Sequence, residues 1–131
     1  MLLQKRALRK YHSPGLWSNA CCSHPFPSEE IQVAALRRLQ EEMGFTSPIE
    51  EAFHFSYNIS FENGLTENEI DHVFVGKYDG ELSANPEEIA DYTYRSMEEI
   101  RQDLIDKPER YTAWFRIAFP GVDQWIGNNW Q

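Results

Sequence analysis

Cys22 and His24 stand two residues apart in the stretch Trp17 to Phe45, WSNACCSHPFPSEEIQVAALRRLQEEMGF, which closes on the paired carboxylates Glu41 and Glu42 just before Gly44. A thiol, an imidazole and an acidic helix end in so short a span combine a soft nucleophile, a proton carrier and hard oxygen donors. A second acidic pair, Glu67 and Glu69, lies two apart in a run of strand character, and that spacing turns both carboxylates to the same side. The basic tract Lys5, Arg6, Arg9 and Lys10 supplies cations that can hold a phosphate. Each residue also has a plainer reading. Cys22 suits a small buried position, His24 a loop before proline, the Glu67/Glu69 pair a solvated strand end, Trp114 a core aromatic and the basic tract a solvated strand edge.

These side chains need elements to carry them. Met1 to Leu8 reads as a strand, Tyr11 to Gly15 as a turn through its Pro-Gly pair, and Leu16 to Ala20 as a short extended run that brings Cys22 to a sheet rim. Pro25 and Pro27 hold the backbone out of helix, and Ser28 is the expected helix N-cap. From Glu29 to Met43 the apolar residues Ile31, Ala34, Ala35, Leu36, Leu39 and Met43 recur at helical spacing, and Gly44 stops the helix. In Glu51 to Phe61 the residues Phe53, Phe55, Tyr57 and Ile59 alternate as one buried face of a strand. Asn68 to Tyr78 is its partner strand, with Asn63-Gly64 as the turn signal between them. Ala90 to Tyr94 adds a short strand, Ser96-Met-Glu-Glu99 is a capping box opening a helix to about Asp106, and Glu109 to Phe119 is a second helical segment. The tail GVDQWIGNNWQ has apolar anchors but no clear period.

At 131 residues the chain is expected to be one domain, residues 1–131, able to bury its own core. Net charge is −9, divided as +4 in the first twelve residues and −13 in the remainder. So acidic a body argues against non-specific nucleic-acid binding, which needs a broad basic surface. No apolar run approaches the ~18–20 residues of a membrane span. Adjacent Cys21 and Cys22 do not suit a structural disulfide, which points to free thiols in a reducing compartment. The reading is therefore a soluble, cytoplasmic protein without nucleic-acid or membrane partners, a monomer or a weak dimer.

Glu29, Arg37, Leu39, Glu41, Glu42, Gly44 and Phe45 fall in the pattern of the Nudix box, with Ser23 in place of its first glycine and Arg38 in place of the glutamate after Arg37. With KRALRKYHSPGLW and SNACCSHP ahead of that helix and ENEIDHVF after it, the chain resembles the type 1 isopentenyl-diphosphate isomerases from about Leu3 to Trp114. The resemblance implies a Nudix-like α/β/α sandwich with a mixed sheet, the Glu29–Met43 helix on one side and the C-terminal helices on the other. It also implies reversible allylic isomerisation of isopentenyl diphosphate to dimethylallyl diphosphate, in isoprenoid biosynthesis.

Residue by residue, the resemblance makes Cys22 and Glu69 the acid/base pair, Tyr57 the hydrogen-bond partner of Glu69, and Trp114 the indole facing a carbocation. It implies that Arg6, Lys10 and Arg38 hold the diphosphate. Magnesium would bridge that diphosphate to Glu42 and to the backbone carbonyl of Cys22. His24, Glu67 and Glu69 form a His/Glu/Glu set suited to zinc, manganese or magnesium. Two further histidines and a lysine of the family lie in an N-terminal segment ahead of the point where this sequence starts. The alternatives are a Nudix pyrophosphohydrolase of a nucleoside diphosphate derivative, disfavoured by Arg38, and an inactive diphosphate-binding fragment.

Overall fold

The computed structural model describes residues 1–8, 10, 13–21, 25–58, 60, 64, 66 and 68–130, together with the backbone of Ile59 and Glu67. The expectations placed on Cys22, His24, Tyr11, Ser23 and Asn63 lie outside the described residues, as does any statement on the Glu67 side chain.

Three strands, β1 (Leu2–Arg6), β2 (Trp17–Asn19) and β5 (Ile89–Tyr94), form one sheet in the order β2-β1-β5, while β3 (Ile49–Ser60) and β4 (Thr66–Gly76) form a second, two-stranded sheet. All of these pairs are antiparallel, and among the described residues the parallel component is the isolated bridge between Trp17 and Tyr111. The helices are α1 (Ile31–Met43), α2 (Met97–Asp106) and α3 (Ala113–Asn129), with a 3₁₀ turn at Pro108–Arg110.

Strand β1 shows why the layers form. Its side chains alternate between the two faces of the sheet. Leu3 joins Ile100, Tyr111, Phe115 and Phe119 in a core with α2 and α3, and Met1 packs on that side. Leu2 packs instead on the cluster of Leu39, Met43, Phe45 and Ile89 beneath α1. One five-residue strand thus separates two cores, each built from side chains worth roughly 1.5–3 kcal/mol apiece when buried.

The expected helix over Glu29–Met43 begins two residues later, and Ser28 does not cap it. Ser28 sits at φ 69°, and the residue preceding the helix is Glu30, without a side-chain cap bond. Glu29 closes the loop instead: its carboxylate accepts from the Phe26 N–H at 2.9 Å and from Arg37 Nε and a terminal guanidinium nitrogen at 2.9 and 3.0 Å. Gly44 ends α1 at φ 75°, where a Cβ would stand 2.7 Å from the Ser83 Cβ. That close approach lets Ser83 and Asn85 donate their N–H groups to the last-turn carbonyls of Met43 and Glu42. The capping box at Ser96/Glu99 forms as expected.

The C-terminal helix is the largest departure. The segment expected over Glu109–Phe119 starts at Ala113 and runs to Asn129, through Pro120 and Gly121. Pro120 costs the Arg116 carbonyl its helical partner, but Phe115, Phe119 and Val122 recur on one face and are buried, and that packing carries the helix past the break. Gly121 has a packing role, since a Cβ there would meet the Phe53 ring at 2.7 Å.

Candidate active site

The described site residues fall into two groups. The first gathers where α1 meets the approach to β5. Arg38 and Glu42, one turn apart, face the interior, with a guanidinium nitrogen of Arg38 3.6 Å from the Glu42 carboxylate. Arg38 also forms a very short ion pair with Glu88, whose carboxylate receives Lys10 Nζ at 3.3 Å. An open cleft of about 600 Å³ lies here, lined by Lys10, Arg38, Glu41, Asn85, Glu87 and Glu88. Burial draws the Glu88 carboxyl upward, but the hydrogen bond and charge of Arg38, with Lys10, outweigh it and hold it below its ordinary range.

Glu42 is the buried member, 2% exposed, and burial pushes its carboxyl upward against the pull of Cys21, Arg38 and Gln4. Cys21 Sγ donates to it at 2.9 Å and Gln4 Nε2 at 3.4 Å. Beside it Gln4 Oε1 is buried and has no hydrogen-bond partner among the described residues. A buried carboxylate with an unmatched amide oxygen next to it is an oxygen-rich setting that fits a hard cation such as magnesium. Glu41, by contrast, is engaged by Arg37 at 2.7 Å and Arg38 at 3.4 Å.

The second group lines the inner face of the β3–β4 hairpin. Register places Tyr57 opposite Glu69 and Phe55 opposite Asp71. Tyr57 is buried, and burial followed by the charges of Asp71 and Glu69 raises its hydroxyl, opposed by Arg116 of α3. The hydrogen bond from Tyr57 to Glu69 that the family resemblance implies is not formed: Tyr57 Oη has no partner among the described residues, and the two side chains face each other across the ladder. Trp114 stands in the first turn of α3, and its Nε1 is also buried without a partner among the described residues. Arg6 reaches it, with the guanidinium carbon 5.1 Å from the indole centroid. The register shift between Lys5 and Arg6 lies where β1 re-aims its last side chain.

The backbone from Ser18 to Cys21 is held by polar contacts. Asn19 Nδ2 donates to the Cys21 carbonyl at 2.5 Å, Gln4 Nε2 donates to the Ala20 carbonyl at 2.8 Å, and Ser18 Oγ lies 3.1 Å from Thr112 Oγ1. Ser18, Ala20 and Cys21 are thereby anchored, through Thr112 at the start of α3, Gln4 of β1 and Asn19 of β2.

Sequence reasoning missed Glu88, Gln4, Asp71 and Arg116. Asp71 carried a usable signal, because it lies two residues beyond Glu69 and so faces the same way. Glu88 carried none, since its pairing with Arg38 spans 50 positions.

The NUDIX domain family matches residues 1–115 of the chain. The fold is similar to the MutT protein of Methanosarcina mazei Go1, with a TM-score of 0.76 and 21% identity over 99% of this chain and 85% of that one. The chain is 48% identical over 126 residues to an isopentenyl-diphosphate Delta-isomerase of Pectobacterium atrosepticum, covering 95% of this chain and 70% of that protein. It is 50% identical to isopentenyl-diphosphate Delta-isomerase 1 of Aromatoleum aromaticum, over 93% of this chain and 69% of the relative. An isopentenyl-diphosphate Delta-isomerase 2 of Photorhabdus laumondii is 43% identical over the whole chain and 74% of its own length. With those relatives spanning nearly all of it, the chain belongs to the isopentenyl-diphosphate Delta-isomerase family within the NUDIX fold.

Proposed function

We propose that this chain isomerises isopentenyl diphosphate to dimethylallyl diphosphate in isoprenoid biosynthesis, as a single domain working in the cytoplasm. Arg38 carries the reading. A pyrophosphohydrolase of this fold needs an acidic helix face for several metal ions, and here a guanidinium sits among Glu41, Glu42 and Glu88. A cation at that place suits binding a diphosphate rather than cleaving it.

The two groups of side chains divide the work. Arg38 and Lys10 hold the diphosphate after exchanging Glu88 for phosphate oxygens, and Arg6 adds a third cation from the end of β1. Glu69 and Cys22 act from opposite faces of the alkene. One protonates the terminal carbon, leaving a tertiary cation, and the other takes a proton from the methylene carbon so that the double bond moves one position. The Trp114 face lies along the cation, an interaction worth ~2 kcal/mol when water is excluded. Tyr57, which faces Glu69 across the ladder and whose hydroxyl burial pushes upward, would donate a hydrogen bond to the Glu69 carboxylate during the reaction. Magnesium, when bound, would be held by Glu42 and the Cys22 carbonyl and would neutralise diphosphate charge. His24, Glu67 and Glu69 would hold a second ion, zinc, manganese or magnesium.

The test is conversion of labelled isopentenyl diphosphate in the presence of magnesium with zinc or manganese. Formation of the allylic isomer, lost in Cys22→Ala, is expected. Release of phosphate or nucleoside monophosphate, insensitive to Cys22→Ala, would instead establish a hydrolase. Absence of turnover with retained diphosphate binding and an intact circular dichroism spectrum would establish an inactive binding fragment.

A further inference from the structure

The outer face of the β3–β4 hairpin carries a group that the reaction does not use. His54 and His72 are directly opposite one another in the ladder, their ring centroids 5.4 Å apart. Glu51 makes a very short contact with His72 Nδ1. One ligand atom from each of Glu51, His54 and His72 lies within 4.8 Å of the other two.

Regular strand geometry would not assemble this group. Glu51 and His54 are three residues apart, so an unbroken strand would turn them to opposite faces. The register shifts between Glu51 and Phe53, leaving Ala52 as an extra residue, so that Glu51 pairs with Phe74 while His54 pairs with His72. His72 and Phe74 are two apart on β4 and share a face, so the bulge brings Glu51 round to the side of the two histidines.

We propose that Glu51, His54 and His72 form a binding site for a divalent transition-metal ion of the zinc class, separate from the metal positions of the reaction. Two imidazoles with one carboxylate match the ligand preference of zinc and cobalt(II), and disfavour magnesium, which takes oxygen donors. A tetrahedral ion with bonds of ~2 Å needs ligand atoms on the order of 3.3 Å apart, so the three side chains, now within 4.8 Å of one another, would draw together around it. The fourth position is left to water. The pair His54/His72 stands three ladder steps from Tyr57/Glu69 and on the opposite face, so the ion would pin the register of the two strands that present those residues.

The experiment measures cobalt(II) and zinc binding to the full chain, by visible absorption and by metal content after gel filtration. Wild type is expected to retain one more equivalent of zinc than His54→Gln or His72→Gln. It is also expected to show a tetrahedral cobalt band that both variants lose. Glu51→Gln, which removes the carboxylate ligand, should lose the tetrahedral cobalt band as the histidine variants do. Zinc should raise the melting temperature of wild type more than that of His72→Gln, and circular dichroism confirms that each variant is folded. Equal zinc content and equal melting shifts in wild type and both histidine variants would overturn the site. A variant of Glu69 that keeps the cobalt band would show that the band does not come from the reaction's own metal position, and loss of the band in that variant alone would overturn the assignment.

Discussion

The α1–β5 corner and the inner face of the hairpin both carry carboxylates, but they set them beside different neighbours. At the corner the charges are matched: Glu88 takes Arg38 and Lys10, and Glu41 takes Arg37 and Arg38. On the hairpin Glu69 and Asp71 stand on one face opposite Tyr57 and Phe55, and among the described residues the buried Tyr57 Oη, like Trp114 Nε1 on α3, has no acceptor. A site that grips a dianionic end needs preset cations, and carboxylates keep those cations in place until the ligand arrives. A site that stabilises a passing cation needs carboxylates and an electron-rich aromatic wall, and buried donors left unmatched beside them cost stability that the rest of the fold covers.

Replacement of Glu69 should have the largest effect. Glu69→Gln should lower kcat by roughly 10³-fold, as expected for loss of a general acid/base, while the apparent affinity for inorganic pyrophosphate with magnesium stays within a few-fold. A comparable loss of pyrophosphate binding would erase the division between the two groups.

At the other end, Arg38→Gln should act mainly on binding. Its charge-assisted contacts are worth ~1.5–3 kcal/mol, which corresponds to a rise in KM of about 10–100-fold, with a smaller change in kcat. Steady-state kinetics decide this, and a selective loss of kcat would move Arg38 into the reacting group.

Gly44→Ala should destabilise the chain by about 1–3 kcal/mol, because the αL backbone and the approach of Ser83 both exclude a side chain. Since that approach sets the segment carrying Glu88 against α1, the variant should also raise KM more than it lowers kcat. Denaturant melts with kinetics on the same preparation test both parts.

The smallest separable effects concern Tyr57 and Glu88. Tyr57→Phe should leave stability unchanged or slightly raised, since an unsatisfied buried hydroxyl is removed, while kcat falls by about tenfold. Destabilisation by this variant would mean that the hydroxyl has a partner in the resting protein. The Glu88 carboxyl is held below its ordinary value of 4.5, so the stability it adds is complete above that pH and is lost as the pH falls through the folded value. Glu88→Gln should therefore flatten the acid limb of a pH–stability profile, by only ~0.5 kcal/mol because the group is partly solvated. A steeper acid limb in the variant would reverse the assignment.

Much of the site was legible because its signals are local. Helix α1 follows from apolar residues at helical spacing and from Gly44, the capping box from Ser96 and Glu99, and the inward face of β3 from the alternation of Phe53, Phe55 and Tyr57. Departure from the Nudix box at Arg38 was likewise visible, and it became interpretable through the carboxylates around it. Each of these features depends on residues within one or two turns of backbone, where side-chain period and cap chemistry act directly.

The tertiary structure decided what depends on register and on distant packing. Helix α3 passes through Pro120 because Phe115, Phe119 and Val122 find a core there, whereas the local Pro-Gly pair argues for a break. Glu88 meets Arg38 because Ser83 and Asn85 cap the last turn of α1, an arrangement with no trace in the spacing of either residue. Glu51 joins His54 and His72 only because one extra residue, Ala52, shifts the ladder and reverses which way the preceding side chain points. Periodicity in a sequence fixes a face only as long as the register holds, and the partner strand decides where the register slips.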